Sequence, residues 1–168
     1  MKTRGVLLAL AALALVGTLA YLWLAPAGLK TAPDISLMTI DGEELQLDSL
    51  HGRPVLVTFW ATTCSSCVSE IPHLIALYDE LAPLGLEIIG IAMDYDPPNL
   101  VLAMRKVHNI PYPVALDIHA DAARAFGNVR LTPTSFLIAA DGRIAYRKTG
   151  VLNMVRLRED IRDLLGAT

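Results

Sequence analysis

The spacing of hydrophobic positions changes along the chain and sorts it into elements. Val6 to Ala25 reads VLLALAALALVGTLAYLWLA, without a single charge. At helical rise such a run spans roughly 30 Å, about one bilayer hydrocarbon core. Lys2 and Arg4 precede it, and Tyr21 and Trp23 stand near its far end, where amphipathic rings favour the membrane interface. Residues 1–27 are therefore predicted to be an N-terminal membrane anchor or signal peptide, with everything after Pro26 outside the cytoplasm. Ala25-Pro26-Ala27 fits a small-x-small cleavage site, but the run exceeds the usual ~7–15-residue signal core, which favours a retained anchor. Residues 28–33 form a linker, and 34–168 a single domain.

Within that domain, Ile35-Ser36-Leu37 and Leu45-Gln46-Leu47 alternate around Asp41-Gly42, the pattern of a β-hairpin. Pro54 to Trp60 is a continuous apolar run suited to a sheet centre covered on both faces. Helical spacing follows from Val68 to Leu81, with Pro72 expected to kink it. Leu86–Met93 predicts a second buried strand and Pro97–Val107 a second helix. Pro113–Leu116 is a short strand, and Asp121–Phe126 a short helix. Thr134–Ala139 and Arg143–Lys148, joined by Asp141-Gly142, form an antiparallel pair, and Leu152–Leu165 an amphipathic helix. The order implies an α/β fold: a parallel βαβ unit and an antiparallel pair in one mixed central sheet, helices on both faces, and an N-terminal hairpin.

Charge narrows the choice of partners. The net charge is −3; without Lys2 and Arg4, 12 basic residues face 17 acidic ones, a net of −5. No basic cluster occurs in the domain, so neither nucleic acid nor anionic lipid is an expected ligand.

The chemistry concentrates at the two cysteines, Cys64 and Cys67. An apolar strand delivers them to the start of a helix, where free N–H groups and the positive dipole end stabilise a thiolate. Cys64 lies at the exposed end and is the expected nucleophile. Cys67, one turn deeper, is expected to resolve the mixed disulfide. A purely structural disulfide over so short a loop restricts the unfolded chain by only about 2 kcal/mol. A zinc site needs two further ligands, and His51, His73, His108 and His119 are not paired at ligand spacing. No cofactor beyond the redox pair is expected.

Several segments together resemble the thioredoxin superfamily, in particular the membrane-anchored TlpA/ResA-like thiol–disulfide oxidoreductases of bacterial envelopes. They are VLVTFWATTC, CSSC, Pro72, EIIGIAMD, YPVALD and LTPTSFLIAADGRI, and the likeness covers roughly Pro33 to Leu165. It implies a thioredoxin-like fold and a cis Pro133 facing the cysteines, with the Thr132 backbone beside the disulfide and able to pair with a substrate chain. It also implies protein thiol or disulfide substrates, such as apocytochrome c or copper-site proteins, and a membrane electron donor of the thiol-transfer type. The expected location is the bacterial envelope, the domain in the periplasm and the anchor in the inner membrane. A monomer and a reductase direction are expected.

This chain departs from the family pattern in three places. Thr58 stands where thioredoxins carry a buried Asp, so the proton of Cys67 needs another acceptor or water. Thr63 replaces a Trp common before the first cysteine, although Trp60 remains as core and site wall. Ser65-Ser66 separates the cysteines without a proline; their hydroxyls either hydrogen-bond the Cys64 thiolate or are solvated. Asp94 or Asp96 is a candidate acceptor for the Cys67 proton, set against the reading that both are solvated loop carboxylates. Glu70 and His73 are expected at the surface. Two other functions compete. A peroxiredoxin-like peroxidase requires Thr or Ser at position 61 and Pro at 57, where this chain has Ala61 and Val57. A tethered chaperone or copper-handling module would use the pair as ligands, with Met93 as the one tempting addition.

Overall fold

The structure, a computed structural model, describes residues 31–166. The expected membrane segment and residues 28–30 of the linker lie outside the described residues. Among the described residues no helix is long and apolar enough to cross a membrane.

A small hairpin leads the fold, β1 (Ser36–Met38) against β2 (Glu44–Gln46), with Leu37 opposite Leu45. The main sheet takes β3 (Val55–Trp60), β4 (Glu87–Ala92), β5 (Val114–Leu116), β6 (Thr134–Ile138) and β7 (Ile144–Thr149) in the order β5-β4-β3-β6-β7. The β3–β4 and β4–β5 pairs are parallel, whereas β3–β6 and β6–β7 are antiparallel. The helices are α1 (Ser65–Leu81), α2 (Pro98–His108), α3 (Asp121–Ala125) and α4 (Met154–Gly166). This is the mixed sheet that the hydrophobic pattern predicts, with most boundaries moved by one or two residues. The largest shift is at α1, which begins three residues before Val68. Its helical geometry continues through Pro72, which sits on the exposed side.

All six residues of β3 are buried, because both faces of the central strand are covered. Alternation sends Val55, Val57 and Phe59 to one face and Leu56, Thr58 and Trp60 to the other. The first set joins Ile89, Ile91, Phe126 and Phe136 in one hydrophobic cluster. Leu56 and Trp60 join Cys67, Ile71, Leu74, Leu157 and Ile161 of α1 and α4 in a second. Cys67 is thus part of a core as well as part of a site. Gly90 of β4 leaves space for the indole: a Cβ there would stand 3.2 Å from Trp60 Nε1.

Phe59 meets Phe126 and Phe136 edge-on, with ring centroids 5.4 and 6.0 Å apart. Phe59→Ala is expected to cost about 3–5 kcal/mol of stability in urea unfolding with the disulfide intact. A loss under about 1 kcal/mol would show that this cluster does not anchor the sheet.

Candidate active site

β3 ends at Trp60 and α1 begins at Ser65, so the four residues between them must turn the chain at the edge of the core. Cys64 N–H donates to Ala61 O at 3.1 Å and closes that turn. Cys64 then occupies the N-cap of α1 with extended backbone, and its Sγ accepts the Cys67 N–H at 3.2 Å. A cysteine sulfur here takes the capping place for which Ser, Thr, Asp and Asn are preferred. It satisfies one of the free N–H groups of the first turn, and the same N–H and the positive helix end favour a negative charge on the sulfur.

Cys64 and Cys67 are disulfide-bonded, with Cα atoms 5.2 Å apart. Cys64 is half-buried, whereas Cys67 is 3% exposed. Of the intervening serines, Ser65 is exposed, and the Ser66 hydroxyl lies 3.4 Å from Cys64 Sγ. Thr63 is exposed. The Thr132–Pro133 peptide is cis. Pro133, Thr58, Trp60, Cys67, Glu70 and Tyr112 all line one small hollow of about 10 Å³ behind the disulfide. Thr58 is buried on the β3 face that looks toward α1, and Ser135 Oγ donates to Thr58 Oγ1 at 3.0 Å. Two neutral hydroxyls therefore stand where the family pattern has a buried acid.

An acid does reach the hollow, from a different element. Glu70 is 3% exposed, and its Oε1 accepts the Leu152 N–H at 2.7 Å. The expectation that Glu70 is a solvated surface residue is therefore incorrect. Residue 70 is three on from Cys67 and lies on the same helical stripe as Cys67, Ile71 and Leu74, so its side chain enters the core. That spacing was the available signal; the charge obscured it. His73 is exposed, as expected. The two acids after β4 separate: Asp94 is exposed, whereas Asp96 is buried and bonded to Thr62. Reading both as solvated loop carboxylates therefore holds for Asp94 and fails for Asp96. Asp94, Asp96, Thr63 and Thr132 are not among the residues lining the hollow behind Cys67. Among the described residues no group of His, Cys, Asp and Glu is arranged to hold a metal.

Burial holds the Glu70 carboxyl above its ordinary range, against smaller opposing effects from the Leu152 N–H and His73. Burial, and then the charge of Glu70, raise the Tyr112 phenol. The hollow thus combines a buried disulfide sulfur, an acid inclined to keep its proton and a neutral phenol.

A strand–Cys-x-x-Cys–helix junction on a mixed β5-β4-β3-β6-β7 sheet defines a thioredoxin-like thiol–disulfide oxidoreductase, and comparison with known proteins agrees. The Redoxin family matches residues 27–164. The thiol–disulfide oxidoreductase ResA of Bacillus thuringiensis subsp. konkukian (strain 97-27) is 30% identical over 136 residues, 80% of this chain and 77% of the relative. The ResA of Halalkalibacterium halodurans is 33% identical over 127 residues, covering 76% and 70%. The crystal structure of a thiol:disulfide interchange protein of the thioredoxin family from Chlorobium tepidum TLS superposes with a TM-score of 0.76 at 31% identity. That match covers 83% of this chain and 99% of the other. The chain belongs to the Redoxin family, as a TlpA/ResA-like member of the thioredoxin superfamily.

Because the folded protein holds the Glu70 proton more tightly than the unfolded chain, Glu70 contributes most to stability below the ordinary carboxylate range. That contribution declines as pH rises through its raised folded value. Glu70→Gln keeps an acceptor for Leu152 and removes the titration. The Tm of the variant minus that of the wild type is expected to increase between about pH 4 and about pH 7. A difference that shrinks over that interval would contradict the buried-acid account.

Proposed function

We propose that the protein is an envelope reductase of protein disulfides, with Cys64 as the nucleophile and Cys67 as the resolving cysteine. The observation that carries this reading is the asymmetry of the pair. Cys64 Sγ caps α1 with one side toward solvent, while Cys67 is sealed in the core.

The reaction follows from that asymmetry. The Cys64 thiolate attacks one sulfur of a substrate disulfide; the substrate S–S bond breaks, a mixed disulfide forms and the other substrate sulfur leaves as a thiolate. Cys67 then loses its proton, and its thiolate attacks Cys64 Sγ. The mixed disulfide breaks, the second substrate sulfur leaves, and the Cys64–Cys67 disulfide closes. Two electrons pass to the substrate. A dithiol donor must return two electrons before the next cycle.

Thr58 has no basicity suited to accepting the Cys67 proton. Glu70 lines the same hollow, and its raised proton affinity brings a carboxyl closer to working pH, where proton exchange is most effective. We assign it the role of taking the proton from Cys67 during resolution and returning it when the pair is reduced. Pro133 and Thr132 form the wall against which the substrate chain lies, and the Ser66 hydroxyl steadies the Cys64 thiolate. Trp60, Thr63 and Ser65 complete the surroundings of the pair.

The charge-free segment Val6–Ala25 behind Lys2 and Arg4 supports placement outside the cytoplasm, tethered to the inner membrane. Electrons then arrive across the membrane through a thiol-transfer partner. The family likeness supports apocytochrome c or copper-site proteins as substrates, and the reductase direction.

Three outcomes are expected. Cys67→Ala in full-length protein should accumulate dithiothreitol-sensitive adducts with envelope proteins on non-reducing gels, and their identity names the substrate. An absence of adducts would contradict a protein substrate. Equilibration of the full-length protein with glutathione should place the pair well on the reducing side of the superfamily; a potential near ~−120 mV, the strongly oxidising end, would reverse the assigned direction. Glu70→Gln should slow release of the mixed disulfide by about 100-fold while leaving attack by Cys64 within a few-fold. Equal effects on both steps would remove Glu70 from proton transfer.

A further inference from the structure

Asp96 is a buried acid that the reaction above leaves without a role. It is 5% exposed, and its carboxylate accepts two hydrogen bonds from one residue. Oδ2 takes the Thr62 backbone N–H at 2.6 Å, and Oδ1 takes the Thr62 hydroxyl at 2.5 Å. The Asp96 N–H donates to Met93 O at 3.0 Å, and the Met93 N–H donates to Trp60 O at 3.0 Å. The loop after β4 is therefore laced to the segment Trp60–Thr62, and the next two residues are Thr63 and Cys64. Among the described residues no Lys, Arg or His forms an ion pair with Asp96. Its charge is held by neutral donors alone.

Such a group has two consequences. Two bonds to Thr62 fix the backbone that presents Cys64 at the helix end. A carboxylate out of water, with no cation to cancel it, also projects its field over nearby groups more strongly than a solvated one. Thr62, which it holds, stands two residues before Cys64, whose sulfur gains and loses charge in the proposed reaction. A fixed negative charge disfavours the thiolate. The disulfide carries no charge and is indifferent to it. The carboxylate therefore opposes the helix end and makes the dithiol form the better electron donor.

We propose that Asp96 is a positioning residue for Cys64. Its carboxylate clamps Thr62 to fix the loop before the nucleophile, and its uncompensated charge biases the pair toward giving up electrons. The proposal deepens the reductase reading and rests on it only for the physiological direction of transfer.

The test compares full-length wild type, Asp96→Asn, Thr62→Val and Thr62→Ser in glutathione buffers, together with the rate of attack on a small aromatic disulfide. Asp96→Asn keeps the shape and loses the charge. It should shift the equilibrium about tenfold toward the dithiol, which is about 30 mV more positive. Thr62→Val loses one of the two bonds and keeps the charge. It should slow attack at least about threefold with the equilibrium moved by less than about threefold, and Thr62→Ser should restore the rate. An Asp96→Asn equilibrium within twofold of wild type, or displaced toward the disulfide, would overturn the charge role. If Asp96→Asn does not fold, Thr62→Val decides: a wild-type rate of attack would overturn the clamp. The wild-type potential tests the reductase reading; the difference between variant and wild type tests Asp96, wherever the wild type falls.

Discussion

One hydrogen bond organises the chemistry of this protein: the Cys67 N–H donating to Cys64 Sγ across the first turn of α1. It exists because a fully buried strand must end where a helix starts, and because the helix start needs an acceptor for its free N–H groups. Filling that position with sulfur places a cysteine where negative charge is stabilised. The same turn of helix carries the second cysteine inward, into the cluster with Trp60, Ile71 and Leu74. The difference in exposure between the two cysteines is thus a consequence of the strand-to-helix junction.

Two buried acids, Glu70 and Asp96, stand around that junction. The β3 position beneath the pair carries Thr58, bonded to Ser135, so the sheet supplies no titrating group there. Glu70 approaches from α1 itself, tethered to the Leu152 N–H in the loop before α4. Asp96 approaches the other end of the junction and is committed to Thr62. One acid lines the hollow that Cys67 also lines, and the other holds the turn that leads into Cys64. An acid on the helix lines the hollow beside Cys67 without placing a charge in the centre of the sheet, where all of β3 is buried and desolvation is costliest.

Much of this was legible in the chain, and the reasons are local. β3, Cys64, Cys67 and α1 are consecutive, so apolar runs and helical spacing identify them without knowledge of what they touch. The hairpin turn at Asp41-Gly42 and the pair around Asp141-Gly142 are read the same way. What escaped depends on contacts between distant residues. Asp94 and Asp96 look alike in sequence; Thr62, 34 positions away, marks the one that turns inward. The Thr58–Ser135 bond joins residues 77 positions apart. Glu70 is the instructive case. Its position on the apolar stripe of α1 argued for the core, whereas its charge argued for solvent, and the Leu152 N–H supplies the partner that lets position prevail over charge.

The claim on which the rest depends is that the two thiols are unequal. It is tested most directly by reducing the full-length protein, treating it briefly with iodoacetamide at neutral pH, and locating the label by mass spectrometry. Cys64 should be alkylated at least about ten times faster than Cys67, because only Cys64 combines access to solvent with a helix end that favours its thiolate. Equal labelling, or faster labelling of Cys67, would contradict it.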